Sequence, residues 1–321
     1  MAIEGMGIVS AAGNGQDALT QAALGVLGAG PGLSCACKAD TGELTRFVQG
    51  KALRRVDHFT RMTLLATHLA LEDAGLVRDD LDHTGIVLAT GYGPVKLTFD
   101  FLDSIIDFGP EMASPQAFAH SVHNIPAATV ALLTGLRSPC FTICQLDTAV
   151  AAAAITACAW LGEGRVQRVL LGAVDEHTDL LEENALRIAR DIPPGLSGGR
   201  RNTPPGDGAV FFSLHADPSR ARHGFFEAAS VCRDACIAGA EPVFFSGSAS
   251  PQRRGKPPLF LDFSAAYGNT PTAMAFDAAL ATMALRGRLG PGLGANGSIH
   301  CMSRDRSGLI GSIRVRRGAG Q

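Results

Sequence analysis

Charge is scarce in this 321-residue chain. Asp, Glu, Lys and Arg together make up 18% of it, against about a quarter in an ordinary soluble protein. The formal net charge is −2, and no basic stripe or long run of one sign is present. Nucleic acid and anionic membrane are therefore poor partners for it. No apolar run reaches the roughly 18 residues that cross a bilayer, so no membrane span is expected. The opening MAIEGMGIVSAAG lacks a basic segment followed by a continuous apolar one. It reads as a buried strand, not a signal peptide, and a cytoplasmic location is expected. Low-complexity sequence and interdomain linkers are also missing. The eight cysteines (Cys35, Cys37, Cys140, Cys144, Cys158, Cys232, Cys236 and Cys301) never form the paired C-x-x-C spacing of a zinc site. Cys35 and Cys37 read as a loop with two reduced thiols, and no metal or cofactor is expected.

What is present is a large apolar content, 46%, enough for a big interior or an extensive subunit interface. It is arranged as short apolar runs between longer helical segments. Residues 3–10, 85–90, 138–146, 168–174 and 209–214 read as strands. The run 85–90 (GIVLAT) is apolar throughout, as in a strand buried on both faces. Residues 19–26 and 59–74 have helical periodicity, the latter stopped by Gly75. Residues 148–161 (TAVAAAAITACAWL) form a helix of small residues. Alanines on every face let it approach its neighbours closely, so a central, buried position is expected. The pattern then recurs in compressed form. Strands are expected at 225–231, 243–245, 259–263, 298–302 and 309–315, with a helix at 271–285. Residues 193–206 and 246–258 are loops rich in Gly, Pro and Arg. The alternation argues for α/β layers, and its recurrence for a duplicated unit.

Several stretches resemble the β-ketoacyl synthases. IEGMGIVSAAGNG resembles that family's opening strand and glycine turn. RRVDHFTRMTLLATHLALEDAGL resembles its Asp-Arg-Phe stretch and Ala-Leu-Glu-Asp-Ala-Gly-Leu helix end. PPGDGAVFFSL resembles its Pro-Gly-Glu-Gly-Ala turn, with Asp207 at the Glu, and SAAYGNTPTAMAFDAALATMALRGRLGP its Lys-Ser-x-x-Gly-His helix start. The shared order of these motifs covers nearly the whole chain. FAHSVHNIPAATVALLTG is similar to a divergent branch that includes chain-length-factor-like proteins of aryl polyene and related polyketide pathways. The resemblance implies an α/β protein of thiolase-like (ketosynthase) fold. Two related halves, 1–216 and a shortened 217–321, would lie in an α-β-α-β-α arrangement.

The same resemblance shows which chemistry is missing. The family's nucleophilic cysteine lies eight residues after the Pro of a Gly-Pro pair. Counting from Pro139 of Ser138-Pro139 gives Asp147, and Cys144 falls three residues early, on the strand. Acylating a carboxylate would give an anhydride, and its charge would repel a malonyl carboxylate. The reading favoured for Asp147 is a helix N-cap; a catalytic carboxylate is the other. The second family histidine becomes Asn269, which can donate a hydrogen bond but cannot carry a proton near neutral pH. The lysine five residues before it becomes Ser264. The first histidine falls at Ser246 in the best local match. No histidine occurs between His223 and His300, so the second-half histidines are absent under any alignment. Phe118, His120, Ser121, His123, Asn124 and Cys144 would lie at the subunit interface or acyl tunnel, with His120 and His123 read as histidines that fix a loop. His58, His68 and His83 read as surface or helix positions.

Three functions follow from the resemblance. The first is a non-elongating subunit that pairs with an active ketosynthase as a heterodimer and meets an acyl carrier protein through that partner, with residues 118–146 as the interface. The second is a divergent acyl-thioester enzyme using Asp147, Asn269 and His120 or His123. The third is a homodimeric acyl-binding scaffold.

Overall fold

A computed structural model describes residues 1–28, 38–191, 203–233, 241–247, 259–290 and 292–318. Cys35, Cys37 and Cys236, and most of the two loops rich in Gly, Pro and Arg, lie outside the described residues. Ten principal strands are β1 (Ala2–Ser10), β2 (Thr84–Thr90), β3 (Cys140–Cys144), β4 (Arg168–Asp175), β5 (Gly208–His215), β6 (Phe225–Cys232), β7 (Val243–Gly247), β8 (Phe260–Leu261), β9 (Ser298–Arg304) and β10 (Ile310–Arg316). The main helices are α1 (Gly15–Leu27), α2 (His58–Ala74), α3 (Val95–Phe108), α4 (Pro115–His120), α5 (Ile125–Thr134), α6 (Ala149–Gly162), α7 (Asp179–Asp191) and α8 (Ala273–Leu285).

The strands pair in the order β3-β2-β4-β5-β1, followed by β6-β10-β9-β7-β8. Each set has the same pattern. The first strand runs antiparallel to the fifth (β1 with β5, β6 with β10) and the fifth antiparallel to the fourth. The second, third and fourth are parallel. The recurrence of short apolar runs in the sequence is thus a recurrence of topology. The two sets join where Ala2 of β1 pairs with Phe225 of β6.

The buried elements follow from their sequences. All nine residues of β1, all seven of β2 and all eight of β4 are buried. The chain enters α2 through Asp57, whose carboxylate accepts the Thr60 N–H at 2.8 Å. It leaves through Gly75 in the left-handed region at φ 69°. Helix α2 lies directly on β1, where a Cβ added at Gly7 would sit 1.9 Å from the Ala66 carbonyl oxygen. Only glycine permits that approach.

Between the two strand sets lie α6 and α8. Helix α6 touches β2 and β4 of the first set and β6 and β10 of the second. Helix α8 is buried at every residue. The alanine-rich α6 departs from the expected all-round burial. Ala149, Val150, Ala151, Ala153, Ala154 and Ala157 are buried, but Ile155, Cys158 and Ala159 are exposed. Small residues still allow close packing on the sheet sides, and the stripe left over faces outward beside the edge strand β3.

The second set differs from the first on its outer face. Glu227, Ser230, Ser312, Arg314 and Arg316 lie there half-buried or exposed. They are tied by Arg314–Glu227 at 2.9 Å, Arg316–Glu227 at 3.1 Å and Ser230–Ser312 at 2.9 Å. Glu241 joins them through Arg314 and through His300 at 2.6 Å. An antiparallel face built this way is suited to water, not to a covering helix. The second set therefore has a polar outer surface in place of an apolar one.

Candidate functional site

The carboxyl ends of the parallel strands are where α/β sheets hold their ligands. Here those ends are Thr90 on β2, Cys144 on β3 and Asp175 on β4, with Ser246 on β7 and Ser303 on β9 from the second set. They meet at the start of α6. Asp147 is 7% exposed and lies in the single 3₁₀ turn Leu146–Thr148 that precedes α6. The Ser303 hydroxyl donates to its carbonyl oxygen. Ser303 pairs across the strands with Ser246, a buried residue whose hydroxyl donates to the Met302 carbonyl at 3.5 Å. Asp147 and Ser246, far apart in sequence, are thus brought to one locus.

Asp147 lies one residue before the cap position of α6. The cap position of α6 is Thr148, and it carries no side-chain capping bond; its hydroxyl instead donates to the Gln145 carbonyl at 3.2 Å. Leu146, just before Asp147, has φ 42°. A bulky residue there is strained, and such strain concentrates at functional positions.

Asn269 reaches the locus through its turn. It is exposed and follows Gly268, while its N–H donates to the Pro204 carbonyl at 2.8 Å. Two residues on, Pro271 lies against Gly91, so that a Cβ at Gly91 would sit 2.2 Å from the Pro271 Cβ. Thr272 hydrogen-bonds Asp175. Ser264 is buried and bonds Thr203 at 3.2 Å.

Asp175 escaped the sequence reading. Its carboxylate accepts from the Thr90 hydroxyl at 2.8 Å, from the Gly91 N–H at 3.0 Å and from the Tyr92 N–H at 3.2 Å. Burial pushes its pKa up to about 6, against the pull of those donors. The only trace in the sequence is an acidic pair, Asp175-Glu176, closing an apolar strand.

That elevated pKa has a consequence for stability. The unfolded chain releases this proton near pH 4, the folded chain near 6. Between those values the folded state holds the extra proton, so stability falls as pH rises and then levels off. The shift corresponds to about 3 kcal/mol. An Asp175→Asn protein keeps an oxygen for the N–H donors and has no such step. Urea midpoints of both proteins at pH 4, 5, 6 and 7 should converge at the acid end, separate between pH 4 and 6 and stay apart above it. Parallel curves would remove Asp175 as the cause.

Cys144 is no activated nucleophile. Its thiol donates to the Gly91 carbonyl at 3.4 Å, and burial and the Asp175 charge raise its pKa, which disfavours the thiolate that reacts. Burial, Asp175 and Asp147 likewise raise Tyr92.

The remaining sequence candidates disperse. His120 approaches Asp57 at 3.4 Å and lines a surface groove of about 280 Å³ with Arg55, Leu97 and Gln116. His123 lies over the Gly93 backbone, its ring 2.4 Å from where a Cβ would be. The two histidines therefore serve different loops. The Ser121 hydroxyl donates to the Phe118 carbonyl at 2.8 Å, Phe118 stacks obliquely on Phe101 at 5.3 Å, and Asn124 occupies the cap position of α5.

Strand β3 is the free edge of the first set. Cys140, Phe141 and Cys144 on it are exposed, Phe141 by 50%. Beside it, Leu132 of α5, Ile155 of α6 and the adjacent Leu146 are exposed as well, and α3 buries none of its residues.

The comparisons with known proteins agree with this geometry. Residues 41–182 match the family described as the N-terminal domain of β-ketoacyl synthase. The chain is 29% identical over 99 residues to 3-oxoacyl-[acyl-carrier-protein] synthase 2 of a Synechocystis strain, covering 30% of this chain and 24% of that protein. It is 28% identical over 159 residues to the chloroplastic 3-oxoacyl-[acyl-carrier-protein] synthase I of Arabidopsis thaliana, covering 44% and 33%. The matches thus span no more than a third of those relatives. Among solved structures, one with TM-score 0.81 and 15% identity, covering 98% of both chains, is a type II polyketide synthase acyl-carrier protein in complex with its ketosynthase (AntDE:AntF). The ishigamide ketosynthase/chain length factor gives 0.73 at 16% identity and a β-ketoacyl synthase from Burkholderia phymatum 0.77 at 15%, each covering 98% of both chains. The fold is the thiolase-type fold of the ketosynthases, and residues 41–182 are similar to the N-terminal domain of β-ketoacyl synthase.

Proposed function

We propose that this chain is a non-elongating, chain-length-factor-like subunit that pairs with an active ketosynthase in polyketide, aryl polyene or fatty acid-type biosynthesis, as a cytoplasmic heterodimer. One observation carries the reading. The start of α6, where the strand ends meet, bears Asp147 and not a thiol, and the nearby Cys144 is held protonated against a carbonyl. Ser246 and Asn269 stand at the positions matching the family histidines, and neither can become a cation. Among the described residues, no activated thiol and no second-half histidine stands at this locus, and such a site does not carry an acyl chain through decarboxylative condensation. The halves 1–216 and 217–321 keep the paired topology that assembly needs, and an acyl carrier protein meets the complex through the partner.

The free edge supports the partner role. A monomer's edge strand is ordinarily blunted by charge or proline, whereas β3 (CFTIC) has neither. It is flanked by exposed Leu132, Leu146 and Ile155. Residues 118–146 are the assigned interface.

Native mass spectrometry of the chain co-expressed with a ketosynthase encoded beside it should show a one-to-one complex. Phe141→Lys, which adds a charge at the centre of the edge, should weaken that complex at least ~100-fold, as loss of a buried aromatic anchor does. A homodimer that ignores the ketosynthase would overturn the heterodimer and favour the acyl-binding scaffold.

A further inference from the structure

Just past the buried Asp175, outside the locus described above, His177, Asp179 and Glu182 each offer one possible ligand atom to a single cluster. The three atoms all lie within 4.8 Å of one another. His177 leads from β4 into α7, and Asp179 and Glu182 fall in that helix's first turn. Carboxylates there are favoured by the helix dipole alone, so their presence says little. The histidine says more. Its side chain is only 8% exposed, and among the described residues its polar partner is the Glu182 carboxylate at 3.4 Å. No hydrogen bond ties the imidazole to any described residue outside this group.

The separation is informative. A charge-assisted hydrogen bond between an imidazole and a carboxylate is about 2.7–2.9 Å long. This protein makes such contacts elsewhere, with His300–Glu241 at 2.6 Å and His223–Asp73 at 2.7 Å. His120–Asp57 shares the longer 3.4 Å spacing, but there the third residue is Thr60, whose hydroxyl donates to the same carboxylate at 2.8 Å. Two ligands of one tetrahedral zinc, with metal bonds of about 2.0–2.1 Å, stand about 3.4 Å apart. His177 and Glu182 have the spacing of co-ligands, and Asp179 supplies a third donor within reach.

We propose that His177, Asp179 and Glu182 form a binding site for one zinc-class divalent cation, with water completing the coordination. One imidazole with two carboxylates suits a borderline metal better than calcium or magnesium, which take oxygen donors alone. All three ligands lie within six consecutive residues, H-T-D-L-L-E. Cysteine spacing, which guided the sequence reading, could not reveal them. Bound metal would pin the first turn of α7 to the end of β4.

The test uses Co²⁺ as a spectroscopic probe and Zn²⁺ as competitor on the full-length chain. The expected result is one Co²⁺ per chain with tetrahedral visible bands, no thiolate-to-cobalt charge-transfer band, and displacement by one equivalent of Zn²⁺. Glu182→Gln and Asp179→Asn, both partly or fully exposed positions, should each lower affinity at least ~10-fold, with the circular dichroism spectrum unchanged. His177→Asn should abolish tetrahedral binding. A thiolate band would place the metal at the exposed cysteines and overturn the proposal. So would equal affinity in the three variants, or no binding by the parent chain. None of these readouts depends on a ketosynthase partner, so the metal site and the subunit role stand or fall separately.

Discussion

Arg168→Leu is expected to cost about 3–5 kcal/mol of stability, the range for removing one partner of a buried ion pair. Arg168 and Glu4 are 5% and 2% exposed and link neighbouring parts of the first strand set, 164 residues apart. The guanidinium donates to Glu4 at 2.7 and 3.3 Å, to the Asp80 carbonyl at 2.7 Å and to Thr84 at 3.3 Å. The Ser213 hydroxyl donates to the same Glu4 carboxylate at 2.9 Å. Without Arg168, the buried Glu4 carboxylate keeps the Ser213 hydroxyl and, 4.0 Å away, the exposed Arg220, which replace little of what the buried guanidinium supplied. The pair itself contributes far less, because its attraction is offset by the desolvation of both ions. Glu4→Leu/Arg168→Leu should therefore be more stable than Arg168→Leu alone, a reversal that identifies the stranded charge as the cause. Urea unfolding of the three proteins reads this directly. A loss below ~1 kcal/mol in Arg168→Leu would show that water reaches Glu4 or that the carboxyl takes up a proton at no cost.

The same strands show what was legible in the sequence. β2 and β4 are runs of buried apolar residues, and the sequence located them to within a residue because a strand covered on both faces has no polar side to blur it. Gly75 marked the end of α2 for an equally local reason, since it adopts a conformation that suits glycine. Helix α3 was missed because none of its residues is buried, so its apolar residues Phe99, Leu102 and Ile106 follow no core-facing pattern. The exposed stripe on α6 was hidden by alanine, which fits a buried face and an open one equally well. The site divided along the same line. Asp147, Ser246 and Asn269 were singled out by spacing, and the structure brings Asp147 and Ser246 to one locus. Their assembly was not legible, because it runs through a Ser303 hydroxyl, a cross-strand pair and the Pro271 contact on Gly91, each joining residues distant in the chain. Asp175 was invisible for that reason too: its four partners come from residues 90–92 and 272.

Asp147→Cys, taken alone, should leave the chain without condensing activity. The substitution restores a thiol where the strand ends meet α6, and the helix terminus would favour its thiolate. It would not restore the rest of the reaction. Expelling carbon dioxide from a malonyl thioester leaves negative charge on a carbonyl oxygen. A positioned acid–base group contributes about 10²–10⁴-fold to such a step, and an oxyanion donor about 10²–10³-fold. Ser246 is buried with its hydroxyl turned to the Met302 carbonyl, and Asn269 carries no proton to give. Asp175, beneath the Gly91 loop, would also oppose the incoming carboxylate. Carbon dioxide release and condensation product, measured with an acyl and a malonyl thioester, should both match the parent chain. Retained complex with the ketosynthase would show that the variant is folded. A gain of ~100-fold or more, the contribution of one positioned acid–base group, would mean that another residue supplies the missing chemistry. It would return the chain to the condensing enzymes and overturn the correspondence of Ser246 and Asn269 with the two histidines.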